Sequence, residues 1–246
     1  MERTCERALQ IGLPAVAFTE HADFVTIHEG QRSVDVHGYL EAVERCRHQF
    51  KSLRILTGVE LGEPHWFPEE TAAVLGAGRL DRVLGSVHCV RIGDRPVDAS
   101  QFRGLPPAEA TDAIRAYFDE LLSMVESTQP FELLAHLDYP KRYWPDGIGP
   151  YREEDFESDM RAVLVAAEKR GLVLELNTTR NDAGEERFCP GIKVLRWWHE
   201  VGGEAVSFGS DAHDPDKLAG GFELATQIVQ AAGFKPSPDP VAFWRR

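Results

Sequence analysis

Short apolar segments alternate with helical segments six times along this chain of 246 residues. Predicted strands occupy residues 15–19, 54–59, 82–87, 131–135 and 172–176, and a sixth begins at Ala205. Strands that alternate with helices form parallel sheets with helices outside, and near-continuous apolar runs are typical of strands buried on both faces. No linker or repeat interrupts the pattern. It therefore predicts a single α/β domain, residues 1–246, whose sheet is closed or nearly closed into a barrel.

Most of these strands end on a side chain that can bind a metal ion. The residues are His21, Glu60, His88, His136 and the pair Asp211 and His213. The fifth strand ends in Asn177 instead. In α/β barrels the carboxyl ends of the strands form the active-site face, so these side chains are expected to meet at one rim. Any one of them alone is more often a polar group that satisfies nearby backbone, and the argument rests on their repetition.

The chemistry of this set predicts a metal centre. Asp211 and His213 are two residues apart, so in an extended segment they point to the same side. Carboxylate and imidazole ligands suit zinc, iron or manganese. Six candidate ligands are too many for one tetrahedral zinc, which predicts at least two ions. Two-metal sites commonly hydrolyse phosphoesters.

Three basic residues follow the fourth and fifth strands. Lys141 and Arg142 lie in the sequence HLDYPKRY, and Arg180 ends ELNTTR. Arginine suits bidentate contacts with phosphate, and lysine suits a point-charge contact. A surface charge or a structural ion pair is an equally good interpretation of each residue taken alone.

Composition limits the partners. The net charge of −13 argues against a general binder of nucleic acid or of anionic membranes, although metal ions can reverse the field inside a pocket. The four cysteines show no CxxC spacing, which indicates a reduced, cytoplasmic protein. No apolar run approaches the length of a transmembrane helix. The expected partner is a small phosphorylated substrate, and the sequence leaves the oligomeric state open.

Six short motifs together resemble the PHP (polymerase and histidinol phosphatase) superfamily, and AHLDYPKRY, ELNTTR and SDAHDP resemble its monofunctional histidinol-phosphatase branch. The resemblance covers nearly the whole chain. The motifs are TEH (19–21), GVE (58–60), GSVH (85–88), LAHLD (134–138), ELNT (175–178) and GSDAH (209–213).

The resemblance implies a distorted, TIM-like barrel of seven βα units with two or three zinc, iron or manganese ions. It implies hydrolysis of L-histidinol phosphate to L-histidinol and phosphate, in histidine biosynthesis. Carried over by position, the metal ligands would be His21, Glu60, His88, His136, Asp211 and His213. Asp211, His213 and Arg180 would be catalytic, and Arg180, Lys141 and Arg142 would bind the substrate.

One departure from the family pattern concerns the opening strand. That strand ends in an HxH pair that supplies two ligands, whereas this sequence contains no HxH and begins in a predicted helix, residues 1–11. We therefore expect the chain to lack the first strand of the barrel, and upstream DNA to encode it. Two alternatives remain open: a PHP phosphoesterase for another small phosphate ester or a nucleotide, and an inactive metal-binding barrel.

Overall fold

The computed structural model describes residues 1–25, 34–93, 95–179 and 188–246. In this part of the chain, nine strands and seven α-helices form one sheet, one hairpin and an outer layer. The strands are β1 (Ala15–Ala22), β2 (Arg54–Gly62), β3 (Arg82–Ser86), β4 (Cys89–Ile92), β5 (Arg95–Asp98), β6 (Leu133–Leu134), β7 (Val173–Asn177), β8 (Ala205–Gly209) and β9 (Trp244–Arg245). The helices are α1 (Glu2–Gln10), α2 (Val36–Gln49), α3 (Pro68–Gly76), α4 (Pro107–Glu126), α5 (Glu157–Lys169), α6 (Ile192–Glu200) and α7 (Phe222–Ala231).

The main sheet has the order β1-β2-β3-β6-β7-β8-β9. The first six strands in this order are parallel, and β9 pairs antiparallel to the start of β8. The parallel pairing brings the carboxyl ends of the strands to one edge. In the register of β1 and β2, His21 lies opposite Glu60, and in that of β7 and β8, Asn177 lies opposite Gly209.

The sheet is curled but remains open on one side. The outer edge of β1 and the second half of β8 border the same cavity of about 550 Å³. Leu56, Leu84 and Leu133, from the strands between them, line its inner wall. Strands at the two ends of the sheet therefore face each other, as in an open barrel. This confirms the predicted α/β, TIM-like fold class.

The helices cover the outside of the sheet and bury four apolar clusters, the largest of which includes residues of α4, α5, α6 and α7. In α4 and α5 the buried side chains recur every three or four residues, as in Ile114, Phe118, Leu121 and Leu164. Each such side chain stabilises the fold by about 1.5–3 kcal/mol through removal from water. Within the described ranges, no helix combines the length and apolarity needed to span a bilayer.

Local chemistry sets several element boundaries. Helix α2 begins at Val36, because Asp35 caps it by accepting a hydrogen bond from the Gly38 amide. Helix α7 begins at Phe222, and Gly221 takes a left-handed conformation at its N-cap. The β4–β5 hairpin starts directly after His88.

Candidate metal centre

Glu60, His88 and His136 converge from three different strand ends. Glu60 Oε1 lies 2.8 Å from His136 Nε2 and 3.3 Å from His88 Nε2. The two imidazole nitrogens are 3.3 Å apart. In a tetrahedral zinc site, ligand atoms about 2.0–2.1 Å from the ion are themselves about 3.3 Å apart. The three side chains therefore have the spacing of metal ligands.

His21 connects this group to the Asp211–His213 pair. Ligand atoms of His21, Glu60 and His88 lie within 4.8 Å of one another, and so do those of His21, Asp211 and His213. All six ligands suggested by the sequence thus surround one rim. The two groups share His21, which is an arrangement suited to neighbouring ions.

The donor set fits a divalent ion of the zinc, iron or manganese type. His88 Nε2 and His136 Nε2 face each other at 3.3 Å, beside Glu60 Oε1. Two imidazole nitrogens and one carboxylate oxygen at this spacing are suitable ligand atoms for such a cation.

The electrostatics of the cluster are strongly coupled. Burial works to raise the pKa of Glu60, but hydrogen bonds from His136 and His88 hold it well below its ordinary value. Burial works to lower the pKa of His88, but the hydrogen bonds to Asp23 and Glu60 outweigh it and raise the pKa well above its ordinary value. The contact with Asp23 raises the pKa of His21 to about 9. Burial lowers the pKa of His136. The carboxylates Asp23 and Glu60 therefore stabilise positive charge at His21 and His88 but not at His136.

Backbone strain is concentrated at this rim. Glu63, His136 and Asp211 have φ values of 46°, 22° and 48°. A positive φ is uncommon for residues with a side chain, and each such residue costs on the order of 1–3 kcal/mol. Strain of this kind persists where the surrounding structure imposes it, and it is enriched at functional sites.

Buried carboxylates that sequence reasoning missed hold the backbone of two ligands. Glu63 Oε1 accepts hydrogen bonds from the amides of His88 and Cys89, at 2.5 and 2.8 Å. Glu175 Oε2 accepts from the His136 amide at 3.0 Å. Glu63 and Glu175 were visible in the sequence only as acidic residues near strand ends, and nothing local indicated which amides they bind.

Arg142 and Lys141 are adjacent in sequence but occupy different environments. The Arg142 guanidinium donates to Asn177 Oδ1 at 2.7 Å and lies 3.7 Å from Asp211 Oδ2. The Lys141 ammonium is buried in ion pairs with Asp138, at 2.9 Å, and Glu153, at 3.7 Å. Arg180 lies outside the described residues.

A cavity of about 260 Å³ joins the rim of candidate metal ligands to Arg142. It is lined by His21, His88, His136, Tyr139, Arg142, Tyr143, Thr179, Asp211 and His213. The ring of Tyr139 lies 4.9 Å from that of His136, between centroids, and the Tyr139 and Tyr143 hydroxyls are 3.1 Å apart. The cavity thus combines candidate metal ligands, a buried cation and an aromatic wall.

A curled parallel sheet with imidazole and carboxylate groups at its strand ends defines an α/β barrel with a candidate metal centre. Residues 1–179 match the model of the PHP domain, and the chain belongs to this family. The match confirms the resemblance that the strand-end motifs indicated.

Two relatives of this chain carry the name histidinol-phosphatase or probable histidinol-phosphatase. The chain is 28% identical to a histidinol-phosphatase of Lactococcus lactis over 235 residues, which cover 92% of this chain and 83% of the relative. It is 26% identical to a probable histidinol-phosphatase of Clostridium acetobutylicum over 222 residues, or 90% and 83% of the two chains. Among solved structures, histidinol phosphate phosphatase from Lactococcus lactis, complexed with zinc, L-histidinol and phosphate, has the same fold. The TM-score is 0.81 at 24% identity, over 95% of this chain and 87% of the other.

Proposed function

We propose that this chain is a metal-dependent phosphatase that hydrolyses L-histidinol phosphate to L-histidinol and phosphate, as a step of histidine biosynthesis. The observation that carries the proposal is one cavity that joins an imidazole–carboxylate cluster to the buried guanidinium of Arg142. The choice of substrate is supported by the relatives named histidinol-phosphatase and by the zinc, L-histidinol and phosphate in the similar Lactococcus structure.

The charges of the site favour bound metal ions. A phosphate ester that enters the cavity approaches Asp211, which lines it, and Glu60, which contacts the lining residues His88 and His136. Both carboxylates would repel it. Two or three divalent ions would reverse the sign of this field. When bound, such ions activate water and stabilise charge on the phosphoryl oxygens. We assign the ligand role to the six strand-end residues His21, Glu60, His88, His136, Asp211 and His213.

Arg142 is the side chain that we assign to the phosphate. The Arg142 side chain is 4% exposed, and its charge is therefore weakly screened by solvent. Asn177 fixes its direction, because Asn177 Oδ1 accepts from Arg142 while Asn177 Nδ2 lies 3.4 Å from Asp211 Oδ2. We also propose Arg180 as a phosphate-binding and catalytic residue. Lys141, which the resemblance placed at the substrate, pairs with Asp138 and Glu153 instead, and we propose that it stabilises the turn that carries Arg142.

The remaining surface of the cavity suits the organic part of the substrate. Tyr139 and Tyr143 form an aromatic wall beside the candidate ligands. Aromatic faces pack well against a planar ring such as the imidazole of histidinol. The net charge of −13 supports a small-molecule partner over nucleic acid, and the four buried, free cysteines support a cytoplasmic location.

The test is turnover of a panel of phosphate monoesters and diesters by the metal-analysed protein. Preference for L-histidinol phosphate, with bound zinc, iron or manganese, is the expected result. Preference for a nucleotide or another ester would reassign the substrate. Bound metal without turnover of any compound would indicate an inactive metal-binding barrel, and absence of bound metal would reject the proposal.

A further inference from the structure

Asp23 lies just beyond β1, outside the set of candidate ligands, yet it contacts two of them. Asp23 Oδ1 is 3.1 Å from His88 Nδ1. Asp23 Oδ2 is 3.4 Å from His21 Nδ1. One carboxylate therefore bridges imidazoles that come from β1 and from the end of β3. No motif of the sequence singled out this residue.

The orientation of His88 explains what this contact does. The Nδ1 atom of His88 faces Asp23, whereas Nε2 faces Glu60 and His136, at 3.3 Å from each of their nearest ligand atoms. A hydrogen bond that holds the proton on Nδ1 leaves the lone pair on Nε2 directed at the cluster. Histidines that bind metals commonly donate their other ring nitrogen to a carboxylate in this way, and the contact fixes both the tautomer and the ring orientation.

The backbone around Asp23 makes room for this carboxylate. A Cβ atom at Gly62, the last residue of β2, would lie 2.2 Å from Asp23 Oδ1. Any side chain at position 62 would therefore displace the oxygen that accepts from His88. Glu63, the next residue, accepts a hydrogen bond from the His88 amide. The ring and the backbone of His88 are thus each held by a separate carboxylate.

We propose that Asp23 is a positioning residue that orients His88, and with it His21, as metal ligands. The inference rests on the proposed metal-dependent function, and it adds a residue that supports the ligands without joining them. It predicts that removal of the Asp23 carboxylate weakens metal binding although all six ligands remain.

The experiment measures Zn²⁺ affinity of the full chain, stripped of metal, by competition with a chromogenic chelator. Loss of an outer carboxylate of this type lowers metal affinity by about 10- to 100-fold, which is the expected effect of Asp23→Ala. Gly62→Ala should also lower the Zn²⁺ affinity, because its Cβ atom displaces the Asp23 carboxylate without removing it. The matched control is Asp81→Ala. Asp81 has a similar exposure, 22% against 18%, but it pairs with Arg47 and Thr57 away from the rim.

A second readout separates positioning from general structure. In the zinc-loaded wild type, ¹H–¹⁵N spectra should show a His88 Nδ1 proton protected from exchange with water, and this signal should be lost in Asp23→Ala at saturating zinc. Unchanged zinc affinity and an unchanged Nδ1 signal in Asp23→Ala would overturn the inference. Loss of one whole ion from the stoichiometry would also overturn it, because Asp23 would then be a ligand. If the wild type binds no zinc, the proposed function fails instead.

Discussion

Glu60 and His136 are 76 residues apart in sequence, yet Glu60 Oε1 lies 2.8 Å from His136 Nε2. Glu60 is within β2 and His136 follows β6, and β3 separates these strands in the sheet. The contact therefore forms over the end of the intervening strand, from which His88 also reaches the same oxygen. This convergence is the centre of the proposed active site.

Asp211→Ala should lower the bound metal and abolish phosphatase activity. Asp211 shares a candidate ligand group with His21 and His213, and strand-end ligands lie outside the packed layers of a barrel. The fold should therefore survive, as judged by circular dichroism. Elemental analysis of the purified variant measures the metal. A metal content equal to that of the wild type would exclude Asp211 as a ligand.

Arg142→Ala should reduce kcat/KM for the phosphate ester by about 30- to 150-fold, which corresponds to about 2–3 kcal/mol for a lost charged hydrogen bond. Arg142→Lys should recover little of a bidentate contact. Steady-state kinetics at saturating metal measure both. Retention of full catalytic efficiency in Arg142→Ala would show that Arg142 does not bind the phosphate.

The neighbouring substitution Lys141→Met should instead act on stability. It leaves the fully buried Asp138 without its cation, and breaking a buried ion pair in this way costs about 3–5 kcal/mol. Urea unfolding measures the loss, and the folded fraction should largely keep its kcat/KM. A large fall in kcat/KM with unchanged stability would place Lys141 at the substrate.

Metal affinity should rise with pH as His21 loses its proton. The contact with Asp23 raises the pKa of His21 to about 9, so below that pH the metal-free protein holds a proton that a metal ion must displace. Each released proton adds about one unit to the logarithm of the association constant per pH unit. Calorimetry in buffers of different ionisation enthalpy counts the protons. His21→Asn should release fewer, whereas a change at the exposed His37 should have no effect.

Glu63→Gln should reduce the pH dependence of the free energy of unfolding of the metal-free protein. Burial raises the pKa of Glu63 from 4.5 to about 7, so between these values the folded state holds a proton that the unfolded state has lost. Stability therefore falls as pH rises through this window, and the full penalty is present above pH 7. Glutamine keeps an acceptor for the His88 and Cys89 amides but does not titrate. Urea unfolding measures the free energy of unfolding of both proteins at pH 5 and pH 8. Between these pH values the wild type should lose more stability than the variant. An equal loss in both proteins would show that Glu63 does not titrate in this window.

Local patterns were sufficient to determine the fold class and the location of the candidate centre. Apolar runs separated by helical segments require a parallel sheet, and a parallel sheet brings its carboxyl ends to one edge. His21, Glu60 and His136 could therefore be placed at a common rim before any distance was known. Their residue types, imidazole and carboxylate, identified the class of ligand.

The tertiary structure alone decided which neighbouring side chains contact the candidate ligands and their cavity. Lys141 and Arg142 are consecutive cations in a short turn, and their sequence gives no reason to separate them. Asp138 and Glu153 attract the first into a buried ion pair, whereas Asn177 holds the second in the cavity. The roles of carboxylates such as Asp23 and Glu175 likewise depend on partners from distant strands. Such contacts arise from packing between segments far apart in the chain, which neither periodicity nor spacing along the sequence encodes.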